Sequence, residues 1–384
     1  MNKRCCFNLI FWKGVVFFIL VGLKSANAQD SLRTGVKYGF LPQLSYNSDF
    51  GVFLGGEVTR YNYRNLQPFR NLTFVRAVYK TNGAFAVNIK REEVETFGTD
   101  LRTAFETYIV QEFNNFYFGD TEKLGFDRAR FDSTEYYHFN SFSIDVGIKT
   151  RIPLRFGEGI SRTDFKTGIN FKHESPWDNP EDSFINSANI EGSDGATLTL
   201  LSAGLVVERR DSEFRAGRGY LIDIGFNVAP PLISTHTTMK NYMEMKAFIP
   251  IMKKIPTTLA TRVDLRNTIG EVPYWFKPSL SGSGRLRGYM FRSNVSDNAF
   301  SYSVELRTWL FKIPFKNIEL GGTAFVDGGR VFTNQNWVNM FSDHKVSLGL
   351  GGVMSIFTPD FILKYEMAFS DDGIGIVLGS GYSF

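Results

Sequence analysis

From Lys345 onward, apolar and polar positions alternate with a period of two. In 345–357 the even positions are Val346, Leu348, Leu350, Gly352, Met354 and Ile356, and the odd ones include Lys345, Ser347, Gly349, Gly351 and Ser355. In 361–370 the order is Phe361, Leu363, Tyr365, Met367 and Phe369 against Lys364, Glu366 and Ser370. The last run sets Ile374, Ile376, Leu378, Tyr382 and Phe384 against Gly373, Gly375, Gly379, Gly381 and Ser383. Such alternation marks a strand with one apolar face and one polar or small face.

Thirteen earlier segments carry the same signal with more noise: 36–46, 51–63, 70–81, 84–97, 101–112, 137–152, 162–172, 199–210, 219–228, 237–249, 257–269, 299–311 and 317–327. The predicted total is therefore 16 strands. An even number of antiparallel strands suits a closed membrane barrel, whose closure removes the backbone edges that lipid cannot solvate. Connector lengths agree with this. Asn65–Pro68, Gly98–Asp100, Pro250–Pro256, Lys312–Phe315 and Thr358–Asp360 read as tight periplasmic turns. The pieces 113–136, 173–198, 270–298 and 328–344 read as long surface loops, with 47–50 and 371–372 as short surface turns. No repeat of 20 to 50 residues and no flexible linker marks a second domain.

Composition strengthens the barrel reading, because 38 Phe, 16 Tyr and 36 Gly suit an aromatic lipid face and small lumen positions. The chain's first 28 residues stand apart. Lys3 and Arg4 precede an apolar run from Val15 to Leu23 and the small-residue site Ala26-Asn27-Ala28, the pattern of a cleaved secretory signal. Residues 29–384 then form the barrel domain. Removing the signal's four Lys/Arg from the chain's 43 leaves 39 basic against 39 acidic residues, which excludes a nucleic-acid role based on net charge. Cys5 and Cys6 leave with it, so the mature chain has neither disulfides nor thiolate metal sites, and no metal or cofactor is expected.

Strand parity puts Arg262, Asp264, Arg266, Glu305, Arg307, Glu319 and Asp327 in the lumen. Beside them, the 270–298 connector carries Gly284-Arg285-Leu286-Arg287-Gly288-Tyr289. An arginine at the tip of a loop folded into the barrel offers a planar fork of donors, which Glu305 and Asp327 on the next two strands can accept. Gly288 permits a sharp turn and Tyr289 can bury its ring with the hydroxyl left wet. Gly282-Ser-Gly284-Arg-Leu-Arg287-Gly288-Tyr289 resembles the loop-six signature of the BamA/TamA outer-membrane assembly-factor superfamily, the Omp85-type or bacterial surface-antigen family. Ser303-Val-Glu305-Leu-Arg307 and Phe325-Val-Asp327-Gly-Gly329 resemble its strand-twelve and strand-thirteen motifs. Softer matches are Pro42–Tyr46 and Arg209-Arg210-Asp211 with Gly217-Arg218-Gly219-Tyr220. The final Gly379-Ser-Gly-Tyr382-Ser-Phe384 is similar to the C-terminal signal by which such barrels are recognised for assembly, with Val377 departing from it.

The resemblance implies a non-enzymatic barrel in the outer membrane, in contact with its lipid and inserted by the outer-membrane assembly machinery. The expected role is outer-membrane protein assembly or protein translocation. Only about seven residues separate Gln29 from the first predicted strand, so no periplasmic POTRA domain is expected, and periplasmic or outer-membrane partners would supply what such domains do. The alternative is a plugged or pore-forming barrel, a channel or the membrane subunit of a complex, with no insertase activity. An enzyme is disfavoured: there is no Gly-x-Ser-x-Gly elbow, and His138, His173, His236 and His344 show no metal-ligand spacing. His173-Glu174-Ser175 is the nearest approach to a hydrolytic cluster, and neighbours on a strand seldom converge.

Overall fold

The computed structural model describes residues 33–47, 51–64, 68–124, 127–158, 160–281, 285–313 and 318–384, with only the backbone for 44–47 and 51–53. The expected signal 1–28, residues 65–67 of the Asn65–Pro68 turn, Pro314 and Phe315 of the Lys312–Phe315 turn, and Gly282–Gly284 of the loop motif lie outside the described residues. Sixteen strands follow one another in a single sheet: β1 (Val36–Asn47), β2 (Gly51–Asn62), β3 (Asn71–Lys80), β4 (Phe85–Val94), β5 (Arg102–Phe116), β6 (His138–Phe156), β7 (Arg162–Pro176) and β8 (Ala196–Glu208). The second half comprises β9 (Gly219–Ala229), β10 (Thr238–Met252), β11 (Thr257–Gly270), β12 (Asn298–Ile313), β13 (Ile318–Phe332), β14 (Lys345–Ile356), β15 (Thr358–Ser370) and β16 (Gly373–Ser380). Each strand pairs antiparallel with the next, and all 16 fall on the segments that alternation predicts. No described helix is long and apolar enough to cross a membrane.

The two faces separate as a lipid-facing exterior and a packed lumen. On β12, Ser303 and Glu305 are 1 % and 0 % exposed while their neighbours Val304 and Leu306 are 42 % and 39 % exposed. A one-residue slip would exchange these rows, so register is strongly fixed. The register itself sets Glu305 opposite Phe325 and Ser303 opposite Asp327, which brings both predicted carboxylates to one patch of wall.

Three expectations need correction. Closure by backbone pairing does not extend to β1 and β16: among the described residues these edges do not pair. Side chains span the seam instead. Ser380 on β16 donates to Glu57 on β2, and Phe361 covers Gly39 of β1. Second, Phe361 does not stand in the lipid-facing row. The ladder jumps from the Ser355–Ile362 pair to the Ile356–Thr358 pair, and this bulge re-aims Phe361 into a buried cluster with Tyr61, Tyr63 and Phe69. The tight turn is correspondingly Phe357 alone, in the left-handed region at φ 67°, and Thr358–Asp360 already belongs to β15. Third, Tyr382 and Phe384 do not prolong the outward row of Ile374, Ile376 and Leu378. The strand ends at Ser380, Gly381 turns at φ 74°, and the chain runs into the lumen.

Candidate functional site

The inward loop 271–297, between β11 and β12, carries Arg287 to the lumen wall, where its side chain is 1 % exposed. Its Nε and Nη2 donate to Oδ2 and Oδ1 of Asp327 at 2.7 and 2.8 Å, a bidentate fork. Nη1 donates to Glu305 Oε2 at 2.8 Å and to Glu366 Oε1 at 2.9 Å. The Arg287 backbone N–H also reaches Asp327, at 3.2 Å. Below the guanidinium lies the ring of Phe325, its centroid 3.3 Å from Cζ, so the cation meets a π face as well. Burial disfavours the charge, but the hydrogen bond and charge of Asp327, with the charges of Glu305 and Glu366, outweigh it and raise the Arg287 pKa above its usual value.

The site is balanced in charge. Arg307 donates Nε to Glu305 at 2.8 Å, and Lys364 lies 3.5 Å from Glu366. Three cations thus face three carboxylates in a desolvated patch, the condition under which buried ions are tolerated. Glu366 was not among the partners expected from sequence. Its signal was present in the alternation, since it occupies the polar parity of β15, but no motif singled it out.

The rest of the motif fixes the loop against the last hairpin. Gly288 adopts φ 89°, and a Cβ there would lie 3.0 Å from that of Ala368. Ser370 Oγ donates to the Gly288 carbonyl at 2.7 Å, and Met290 N donates to Asp372 at 3.1 Å. The Tyr289 ring is buried as expected, but its hydroxyl is bound rather than wet, donating to the Val346 carbonyl at 3.1 Å and to Asp371 at 3.3 Å. Gly329 on β13 leaves room for the loop, because a Cβ there would meet Leu280 at 3.2 Å.

The segment after β16 joins the same patch. Ser383 Oγ accepts from Lys364 Nζ at 2.5 Å and from Arg287 Nη1 at 3.4 Å, and donates to Glu366 at 3.2 Å. Tyr382 stacks on Arg307, with 3.9 Å from Cζ to the ring centroid, and the Phe384 carbonyl accepts from Arg307 Nη2 at 2.8 Å. The glycines of β16 divide by role. Gly375 faces the loop, where a Cβ would lie 2.7 Å from Gly288 Cα, whereas one at Gly379 would meet only Lys364 Cε at 4.0 Å.

The opposite mouth is covered by residues 209–218, between β8 and β9. In the softer motif, Asp211 Oδ1 accepts from the backbone of Gly217 at 2.9 Å and of Arg218 at 3.2 Å, which shapes the turn. The turn then reaches across the barrel. Glu213 accepts from Arg102 Nη1 and Nη2 at 3.0 and 2.6 Å, and Arg215 pairs with Glu319 at 2.5 Å. Burial pushes the Glu213 pKa up, but the Arg102 charge and hydrogen bonds dominate and bring it down to about 2. Sequence offered no sign of this long reach, because Arg102 and Glu213 are distant along the chain.

His173 and Glu174 turn to different partners: His173 Nδ1 meets Thr197 Oγ1 at 2.8 Å, while Glu174 accepts from Tyr274 at 2.6 Å. No hydrolytic cluster assembles from them and Ser175. Among the described residues no group of His, Cys, Asp and Glu is arranged to hold a metal ion.

Comparison with known proteins places this geometry. BamA from Haemophilus ducreyi lacking POTRA domains 1–3 shares 14 % identity at a TM-score of 0.55, over 90 % of this chain and 69 % of that one. CdiB from Escherichia coli shares 12 % identity at 0.56, over 92 % and 67 %. CdiB from Acinetobacter baumannii shares 13 % at 0.53, over 91 % of this chain but 60 % of its own length. At these identities the likeness shows the fold. No curated protein matches the chain significantly. The Omp85 superfamily domain, however, matches residues 72–377, a span that includes Arg287 and its partners Glu305, Asp327 and Glu366, together the latch of the loop. The chain is thus a 16-stranded barrel that belongs to the Omp85 superfamily.

Proposed function

We propose that this barrel resides in the outer membrane and works in the assembly or translocation of outer-membrane proteins by opening between β1 and β16. The observation that carries the reading is the seam: every other neighbouring strand pair is laddered, whereas β1 and β16 share no ladder among the described residues and side chains bridge past them, from Ser380 of β16 to Glu57 of β2 and from Phe361 of β15 to Gly39 of β1. Unpaired edges are templates for an incoming strand. The latch supports the same reading, since Arg287 and Gly288 hold β15 and β16, the hairpin that must move. Partner proteins of the periplasm or membrane deliver the client, and the Gly379, Tyr382 and Phe384 pattern serves the barrel's own insertion by the assembly machinery.

A client-insertion assay in liposomes tests this. Glu57→Cys and Ser380→Cys place thiols on either side of β1, and a short cleavable bis-maleimide linker would then tether β2 to β16. The unlinked pair should insert client, the linked pair should not, and cleavage should restore activity. Equal insertion in all three states would exclude seam opening.

A plugged barrel without insertase activity is favoured by one different observation: the described residues of loop 271–297, turn 209–218 and residues 381–384 all enter the lumen. Failure of the unlinked protein to insert any client, together with negligible conductance in planar bilayers, would select that reading.

A further inference from the structure

At the end of the seam where β1 begins, β15 outruns its partner. The β15–β16 pairing starts at Leu363–Ser380, so residues 358–361 of β15 have no strand residue of β16 paired with them. The lead-in to β1 and the end of β2 take that place. Arg33, three residues before β1, donates Nε and Nη2 to Asp360 Oδ1 at 3.0 and 2.7 Å, and its Nε lies 2.8 Å from Oδ2. Tyr63, directly after β2, donates its hydroxyl to Asp360 Oδ2 at 2.8 Å. That hydroxyl has one proton, so its 2.8 Å bond to Thr358 Oγ1 is one in which the threonine donates. Tyr63 N donates to the Gly35 carbonyl at 2.8 Å, which fastens the lead-in to the same tyrosine. Arg33 Nη2 also donates to Ser212 of the lumen turn 209–218 at 3.2 Å, and Phe214 of that turn meets the Tyr61 ring edge-on, with centroids 5.6 Å apart.

All these bonds to Asp360 and Thr358 cross the seam, because Arg33 and Tyr63 belong to its β1–β2 side and Asp360 and Thr358 to the β15–β16 hairpin. The Asp360 side chain is 1 % exposed, and among the described residues Arg33 and Tyr63 are its only donors. Separating the two sides here would strand a buried carboxylate, the costliest way to break an ion pair. We propose that Arg33 and Asp360 form an autoinhibitory clamp on the seam, separate from the Arg287 latch, which the barrel must release at this end before β1 and the hairpin can part. Arg33 is the movable half, since its side chain is 30 % exposed whereas Asp360 is buried. The clamp is therefore released from the chain's lead-in: a partner protein that draws Arg33 away from Asp360 frees the hairpin without touching the lumen loop. This regulation rests on the seam-opening reading.

Spin-label distances across this end of the seam test the clamp in the folded, reconstituted protein, from Tyr38→Cys on β1 to Leu378→Cys on β16, both exposed on the lipid face. The distribution should be narrow with Arg33 present and should shift to longer, broader distances in Arg33→Ala, with Arg33→Lys between the two. Lys166→Gln removes an ion pair to Asp223 on other strands and should leave the distribution narrow. Arg33→Ala combined with Arg287→Ala should broaden it beyond either change alone. Identical distributions with and without Arg33 overturn the clamp, and so does equal broadening in Lys166→Gln. A double variant no broader than the single ones overturns its separateness from the latch. The distances need no client, so a seam that broadens in Arg33→Ala while client insertion stays unchanged supports the clamp and counts against the seam-opening reading alone.

Discussion

A single guanidinium organises the lumen. Arg287 is buried among Asp327, Glu305 and Glu366, and removing one member of such a group strands the others without water. Arg287→Ala should therefore destabilise the barrel by about 3–5 kcal/mol, read as a lower denaturant midpoint and a lower temperature for loss of heat-modifiable gel mobility. Arg287→Lys should rescue only part of this, because an ammonium cannot make the fork to Asp327 while also reaching Glu305 and Glu366. An unchanged midpoint in Arg287→Ala would remove the latch from the account. A second residue-scale prediction concerns acid. The Glu213 pKa is depressed to about 2, so its contribution is complete above the ordinary carboxylate value near 4.5 and is lost as pH falls from there towards 2. The full linkage is about 3 kcal/mol. The thermal midpoint of the unaltered protein should fall over this window relative to Glu213→Gln, and parallel pH profiles would show that the Arg102 pair contributes nothing.

At the scale of elements, the inward loop and the β15–β16 hairpin behave as one packed unit. Gly375→Val would drive a side chain into the Gly288 backbone, so the loop must lift from the hairpin; Gly379→Val has open space to enter. Limited proteolysis should cut the 271–297 loop faster in Gly375→Val than in Gly379→Val, and equal rates would show that the glycine face is not a seat for the loop. These elements also mark what the sequence could convey. Period-two alternation located all 16 strands, and parity put Glu305 and Asp327 on the lumen side. No motif marks Glu366, because its role depends on which strand the loop tip reaches, and that is a property of the folded wall. Phe361, Tyr382 and Phe384 were misplaced for a related reason. Parity holds only while the ladder is regular, and the bulge beside Phe361 and the left-handed glycine before Tyr382 each turn the neighbouring side chains to the other face.

At the scale of the whole molecule, the proposed opening makes the seam and the Arg287 latch parts of one mechanism. β1 and β16 share no ladder among the described residues, while β16 and its partner β15 are held from within by Gly288, Arg287 and the Ser370 bond to the loop. Release of the loop should therefore loosen the seam, although no residue of the latch lies on β1. The most direct test is a spin-label distance measurement across the seam, from Phe40→Cys on β1 to Ile376→Cys on β16, both exposed on the lipid face. A narrow distance distribution is predicted with Arg287 present and a broad one, extending to longer distances, with Arg287→Ala. Identical distributions in the two proteins would contradict the coupling between latch and seam.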